Sequence, residues 1–489
     1  MSYFSGRRIG ATALLLATAL LGIYGIGRSL WLDEAWVANS VLEPSLSSMF
    51  YYPAWLQSTP PVFLLLVRAA VGMFGVSNTA FRIVPLAFEV LGVAAMIAVS
   101  RRLMSAPFAM LAGALLAFHP AAIEYSRTCK QYSAEVAAST VILLVLVLYL
   151  EDTTPRRFLW IVCVFVIALP LAWSSVFLLP GVVIAVWAKS GVRRAGLLTV
   201  IVGGLLAVLY FVFIRQNIAP QLRAFWTATA MPLSPGLIAA LSFCAAAALR
   251  AVYRHSWIQI AALMPCLLFA VADLLRLYPA EPRSRLFLLP CFLIVAALAA
   301  EDLFGWLIRS TPHPDRIAGF AGAAIALLVV GLGVDAGRKQ LRDQRNRPEE
   351  DYENAVRVLR QQVAPRDLLF VHASAREGFR LYAAMEGWHD SHAVFGSTGG
   401  PCCARNRNEM PKSSNAKTVY ADVDRMLPRG FSGRVWLLYS SRRTHWDYIG
   451  NDESKLWRNR LEQLGCAGKD ADVVLRGIAI TALDCVSAP

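Results

Sequence analysis

Apolar runs bounded by charges or by Pro/Gly clusters dominate the chain up to Asp335, and a mixed polar pattern takes over after it. The runs are 9–30, 82–99, 107–123, 134–150, 158–171, 176–188, 195–214, 235–249, 257–272, 286–307 and 317–334. Each reads as a candidate transmembrane helix, about eleven in all, some of them short for an upright crossing of a ~30 Å core. The two on either side of Leu169–Pro170 can also be read as one broken hairpin. A further run, PPVFLLLVRAAVGMFG at 60–75, carries Arg68 at its centre and reads as a helix lying in the interface.

After Asp335 the periodicity changes. PEEDYENAVRVLRQQV, SAREGFRLYAAMEGW and ESKLWRNRLEQLG have the spacing of amphipathic helices, whereas DLLFVHA, GRVWLLYSS and VVLRGIAITAL read as strands. Their alternation predicts a small α/β layer domain. Residues 390–417 are rich in Gly, Ser and Asn and read as a loop. The expected fold is therefore a polytopic α-helical membrane domain, 1–335, followed by an extracytoplasmic α/β domain, 336–489.

Composition agrees with this division. The chain is 57% hydrophobic and only 16% charged, against about 25% charged for a soluble protein. Its net charge is +14, and no nucleic-acid motif accompanies it. The short loops holding Arg7/Arg8, Arg101/Arg102, Arg156/Arg157, Lys189/Arg193/Arg194, Arg250/Arg254 and Arg309/Arg316 fall on one side if the helices alternate. That side is the cytoplasm by the positive-inside rule. The N-terminus is then inside, and the loop after the first helix and the C-terminal domain are outside. The first run is long for a signal-peptide core and has no small-x-small cleavage site, so it reads as an uncleaved helix.

Candidate chemistry gathers on the outer side. In SLWLDEAWVANS, Asp33 and Glu34 stand between Trp31 and Trp36 where the first helix leaves the membrane. Three readings apply: a solvated loop, a helix N-cap, or a catalytic carboxylate that acts as general base or ligates a divalent metal. HPAAIEYSRTCKQYSAE adds Glu124 and Glu135 as acids of the same region, with Tyr125 and Tyr132 as interface anchors able to bind a sugar face. The outer loops also carry Arg127, Lys130, Arg215, Arg223, Arg276, Arg283 and Arg285. Singly these are snorkelling cations; as a set they suit a phosphate. Cys129, Cys163, Cys244, Cys266 and Cys291 sit in or beside apolar helices as small hydrophobes. Cys466 and Cys485 frame the last helix-to-strand unit and are expected to pair, while the adjacent Cys402 and Cys403 are too close in sequence to bridge without strain.

Three ordered stretches resemble the C-type polytopic glycosyltransferases that use polyprenyl-phosphate sugars. Among these are the family 39 protein mannosyltransferases, the aminoarabinose transferases of lipid A and the galacturonosyl transferases of rhizobial lipopolysaccharide. The stretches are LWLDEAWVA, STPPVFLLLVRAAVGMFGVSNTAFRIVPLAF and HPAAIEYSRTCKQYSAEV, with EPRSRLFLLPCFLIVAA as a weaker fourth. The resemblance covers about residues 20–145 and implies an inverting transferase of a bacterial inner membrane, with a periplasmic C-terminal domain. It would move a sugar from a polyprenyl-phosphate donor to an envelope glycolipid, polysaccharide or protein on the outer face. By carry-over Asp33 takes the catalytic-base position with Glu34 beside it. Arg127, Lys130, Tyr132, Glu124, Arg283 and Arg285 would then bind substrate. Three departures stand out: Lys130 where the family usually has Arg, Thr128 where many members have an acid, and Gln57 where some carry a metal ligand. No cofactor is fixed by these residues, and a divalent metal stays open. The rival readings are a transporter or flippase for a lipid-linked sugar and a lipid-diphosphate oligosaccharide ligase. Transporters often carry internal repeats and mid-helix polar residues; the polar residues here cluster at one membrane face.

Overall fold

Helices form where the apolar runs lie, and their ends carry ordinary stop and start chemistry. The computed structural model describes residues 2–52, 59–215, 251, 256–275, 277–278, 281–309, 314–346, 350–372, 374–388, 393–395, 416–441, 453–468 and 473–486. The expected span 235–249 lies outside them, as do Gln57, Arg223, Arg276, Cys244, Cys402 and Cys403. The membrane part consists of α1 (Ser2–Ile23), α2 (Leu32–Leu42), α3 (Leu46–Phe50), α4 (Pro61–Phe74), α5 (Asn78–Leu103), α6 (Ala106–Ala117), α7 (Pro120–Ser126), α8 (Tyr132–Glu151), α9 (Pro155–Leu171), α10 (Leu179–Ser190), α11 (Val192–Leu209), α12 (Trp257–Leu274), α13 (Leu289–Arg309) and α14 (Pro314–Asn346). Among the described residues seven helices are long and apolar enough to cross a membrane, or eight with one bent pair counted as a span.

Start signals are visible at several of these helices. Ser77 Oγ accepts from the Ala80 amide at 3.2 Å to cap α5, and proline occupies the first position of α4, α7 and α9. Arg101 and Arg102 complement the dipole at the end of α5.

One expected span is bent, and two others are joined by an irregular turn. The run 107–123 is the pair α6 and α7, bent by 57°. Pro120 cannot donate to the ladder and drives His119 into extended backbone, which ends α6. Between α9 and α10 the chain leaves helical geometry at Ala172 and makes a 3₁₀ turn over Trp173–Leu178. The later helix then packs so closely on α12 that a Cβ at Gly181 would lie 2.8 Å from Ala261 Cα. Only glycine allows that approach.

The buried apolar side chains of α5, α6, α8, α9, α10, α12 and α13 form one continuous core. Val200, Phe320, Leu327 and Val330 point outward instead, as apolar side chains do when lipid is the solvent.

The C-terminal part is the expected α/β layer. Helices α15 (Tyr352–Gln362), α16 (Arg376–Met385), α17 (Ala416–Met426) and α18 (Glu453–Gln463) accompany β1 (Leu368–Val371), β2 (Ala393–Phe395), β3 (Gly433–Ser440), β4 (Cys466–Gly468), β5 (Val473–Leu475) and β6 (Ile478–Cys485). The strand order is β2-β1-β3-β6-β4, with β5 also on β6. β1 runs parallel to β2 and β3, whereas β6 is antiparallel to its neighbours. Three features depart from the sequence reading. Residues 393–395 of the supposed loop are an edge strand, and Ala416 already begins a helix. VVLRGIAITAL is two strands, because Gly477 turns the chain at φ 67° and folds β5 back on β6. Cys466 lies opposite Cys485 in the β4–β6 register, and the two form the expected disulfide.

Candidate active site

The first turn of α2 decides how its two acids are used. Trp31 is the N-cap, so Asp33 and Glu34 are the second and third residues of the helix; Asp33 does not cap it, and Glu34 accepts from the N-cap amide. Successive helical residues point about 100° apart, and the two carboxylates face different surroundings.

Glu34 turns inward and is fully buried. Arg82 of α5, equally buried, donates Nε to Glu34 Oε1 at 2.8 Å and Nη2 to Oε2 at 2.6 Å. The Cys129 amide donates to Oε1 at 2.6 Å, and the Trp31 amide reaches Oε2 at 3.4 Å. Arg82 also donates to the carbonyls of Ile26 at 2.8 Å, Arg28, and Ser29 at 3.2 Å. The pair therefore has the bidentate geometry and accessory hydrogen bonds that a buried charge pair needs. Glu34, expected beside Asp33 in the pocket, instead fastens α2 to α5 and to the loop before it.

Asp33 turns the other way, and its side chain is 13% exposed. Arg283, on the 3₁₀ turn Pro282–Leu288, donates Nη1 to Asp33 Oδ2 at 2.9 Å and Nε to Glu281. Lys130, half-buried on the loop before α8, lies within electrostatic reach of both Asp33 and Arg283. Its ammonium makes no hydrogen bond among the described residues. Burial pushes it below the ordinary lysine range, against the opposing pull of Asp33. Tyr132 and Tyr125 stack edge to face at 4.8 Å, within reach of the same Asp33 and Arg283 charges.

The other expected residues divide. Glu124 pairs with Arg28 and with Arg127, each at 2.9 Å. Arg127 is buried and also donates to the Tyr24 carbonyl at 3.2 Å. These two brace α7 against the end of α1. Arg285 Nε faces the Glu281 carbonyl at 3.5 Å. Glu135 is buried one turn into α8.

Several residues that hold Asp33 in place come from the C-terminal domain. Glu350 is buried, and its Oε2 accepts from the Leu32 amide at 2.8 Å, capping the turn that bears Asp33. Its Oε1 accepts from Ser440 Oγ at 2.8 Å. Tyr382 Oη accepts from the Leu30 amide and donates to Asn78 Oδ1, both at 2.7 Å. Asn39, farther along α2, and Tyr52, just past α3, donate to Glu377 Oε2 at 3.1 and 2.9 Å. Sequence reasoning missed these residues because more than 300 positions separate each from its partner. Arg82 lay inside a stretch already singled out, and its pattern of Arg and Pro was the one available signal.

Among the described residues the donors that converge here do not make a metal site. Among the described residues no three His, Cys, Asp or Glu side chains could hold an ion together. Glu34 is committed to Arg82 and the Cys129 amide.

Residues 58–219 match the family model described as dolichyl-phosphate-mannose-protein mannosyltransferase. No curated protein matches the sequence. In fold, the chain is similar to ArnT from Cupriavidus metallidurans in its apo state, at 12% identity and a TM-score of 0.60 over 97% of this chain and 98% of that one. The same protein bound to undecaprenyl phosphate matches at 10% identity and a TM-score of 0.58, over 98% of each chain. The archaeal oligosaccharyltransferase AglB from Archaeoglobus fulgidus, in complex with an inhibitory peptide and a dolichol-phosphate, matches at 13% identity and a TM-score of 0.53. That alignment spans 94% of this chain and 72% of AglB. In fold, then, the chain resembles ArnT and AglB over nearly its whole length.

Proposed function

We propose that the chain is an inverting glycosyltransferase that moves a sugar from a polyprenyl-phosphate donor to an acceptor on the outer face of a bacterial inner membrane. The observation that carries this reading is the trio at the first turn of α2: a largely covered carboxylate, Asp33, flanked by the Arg283 guanidinium and the Lys130 ammonium, which makes no hydrogen bond among the described residues. The matches to a mannosyltransferase family and to a protein solved with undecaprenyl phosphate support it.

In this mechanism Lys130 and Arg283 receive the donor phosphate. Both are cations, and charge-assisted contacts to phosphate oxygens strengthen as the phosphate becomes a leaving anion. Arg283 pairs with Asp33 in the free protein, so an arriving phosphate competes for the guanidinium and releases the carboxylate. Asp33 then takes the proton of the acceptor hydroxyl as that oxygen attacks the anomeric carbon. The sugar–phosphate bond breaks on the opposite face, and the lipid phosphate departs with the bonding pair. Glu34 serves by position, holding the turn that aims Asp33. The acceptor is an envelope glycolipid, polysaccharide or protein.

Mass spectrometry of cell-envelope glycans with and without the protein tests the proposal. Loss of one sugar substituent, with its polyprenyl-phosphate donor accumulating, is the expected result. An unchanged envelope with no donor accumulation would contradict it.

A further inference from the structure

Behind the reacting carboxylate lies a second buried acid that the mechanism does not use. Glu135, in the first turn of α8, is 2% exposed, and its Oε2 has no hydrogen-bond partner among the described residues. No Lys, Arg or His among the described residues forms an ion pair with it. Intramembrane carboxyl groups left in this state are costly and mark functional positions.

Its surroundings are not those of an ordinary helix interface. Ser174 lies beside it, its hydroxyl turned to the Glu135 carboxyl, and Ser174 and Ser175 are both fully buried, the Ser175 hydroxyl without a hydrogen-bond partner among the described residues. Both serines belong to the 3₁₀ turn where the chain breaks between α9 and α10. Elsewhere in the bundle Thr18, Ser126 and Thr140 return their hydroxyls to backbone carbonyls of the preceding turn; these two serines do not. The same turn supplies Phe177, which packs against Tyr278 at 5.2 Å and stacks on Phe287 at 5.3 Å. Tyr278 is within electrostatic reach of Glu135 and Tyr132, and Tyr132 is within reach of Asp33 and Arg283. Tyr132 is thus within electrostatic reach of both carboxylates, Asp33 and Glu135. An apolar, aromatic surface with a few open polar groups is the usual make-up of a small-molecule site.

We propose that Glu135, Ser174 and Ser175 form a sugar-recognition subsite that takes a hydrogen-bond-donating substituent of the transferred sugar, a hydroxyl or an amine, against the Phe177–Tyr278 surface. The inference rests on the transferase reading. A donor filling this subsite satisfies the open carboxyl oxygen, whereas an analogue lacking the substituent leaves it unpaired, the arrangement that discriminates most strongly between sugars.

The test uses the full-length protein in liposomes and a panel of undecaprenyl-phosphate sugars that differ by one hydroxyl or amine, with kcat and KM measured for each. Wild type should prefer one sugar over its deoxy analogue. Glu135→Ala should raise KM for that sugar on the order of 10- to 100-fold and abolish the preference, with little further loss on the analogue. Ser174→Ala should move both in the same direction by less, and Glu135→Gln should restore part of the affinity; these milder changes keep the test valid if Glu135→Ala folds poorly. Unchanged preference in Ser174→Ala and Glu135→Gln, or equal loss on every sugar, would overturn the subsite while leaving the transferase reading intact. Wild type that uses none of the donors would overturn both.

Discussion

Two ion pairs in this protein share one chemistry and differ in everything that gives an ion pair consequence. Arg82 and Glu34 face each other with both side chains at 0% exposure, and each is completed by backbone partners. Arg434 and Asp484, across the β3–β6 pair of the C-terminal sheet, meet in comparable bidentate geometry but are each 46% exposed. Water screens the second pair, and a measured surface pair of this kind contributes little. The first has surrendered its hydration and can be held only by its partners. The face of the membrane domain that carries α2 is therefore where charge fixes structure, and the sheet surface is where charge serves solubility.

Breaking the buried pair should give the largest effect. Arg82→Ala leaves Glu34 uncompensated and frees three carbonyls, with an expected loss of about 3–5 kcal/mol and of transfer activity together. Thermal unfolding in detergent reads the first. A loss under 1 kcal/mol would mean the pair is hydrated.

Glu350→Ala should cost less, about 1–3 kcal/mol, because it removes the cap on the turn bearing Asp33 and leaves the buried Ser440 hydroxyl only its 3.3 Å contact to the Gly477 carbonyl. Since its role is to position, kcat should fall with donor KM nearly unchanged, and Glu350→Gln, which keeps an accepting oxygen, should recover most of the activity. A change in KM alone would sever the C-terminal domain from the chemistry.

The next effect is a pH dependence. Burial holds the Lys130 ammonium below the ordinary lysine value of about 10.4. It therefore loses its proton at lower pH than an exposed lysine does, and donor KM should rise with pH from below that value. Lys130→Arg keeps its charge over the same range and should flatten the rise. Identical profiles for the two proteins would remove Lys130 from donor binding.

Arg434→Ala is the smallest: no more than about 0.5 kcal/mol, with activity unaffected. A larger loss would erase the contrast between the two surfaces.

How much of this was legible follows from distance along the chain. Helix positions could be read because lipid demands long apolar runs, and the Cys466–Cys485 pair because both ends flank one local unit. The kink at His119–Pro120 carried its signal in the proline itself, although the apolar run disguised it as one span. The β5–β6 hairpin was hidden because one glycine after Arg476 was its only turn signal. At the site, Asp33 was legible as an acid at the waterline. Its separation from Glu34 was not, since adjacent letters give no sign that one points at Arg82 and the other at Arg283. Glu350 and Tyr382 were illegible for another reason: hydrophobic period and charge patterning identify faces, not which remote element a face will meet.

The central claim is that Asp33 is the proton acceptor and Glu34 the anchor. Its most direct test compares Asp33→Asn with wild type for transfer from an undecaprenyl-phosphate sugar in membranes, at matched expression and with donor binding measured alongside. Asparagine preserves shape and can still accept from Arg283, so folding and donor binding should persist while the transfer rate falls about 10²–10⁴-fold. Near-wild-type transfer by Asp33→Asn would contradict the account.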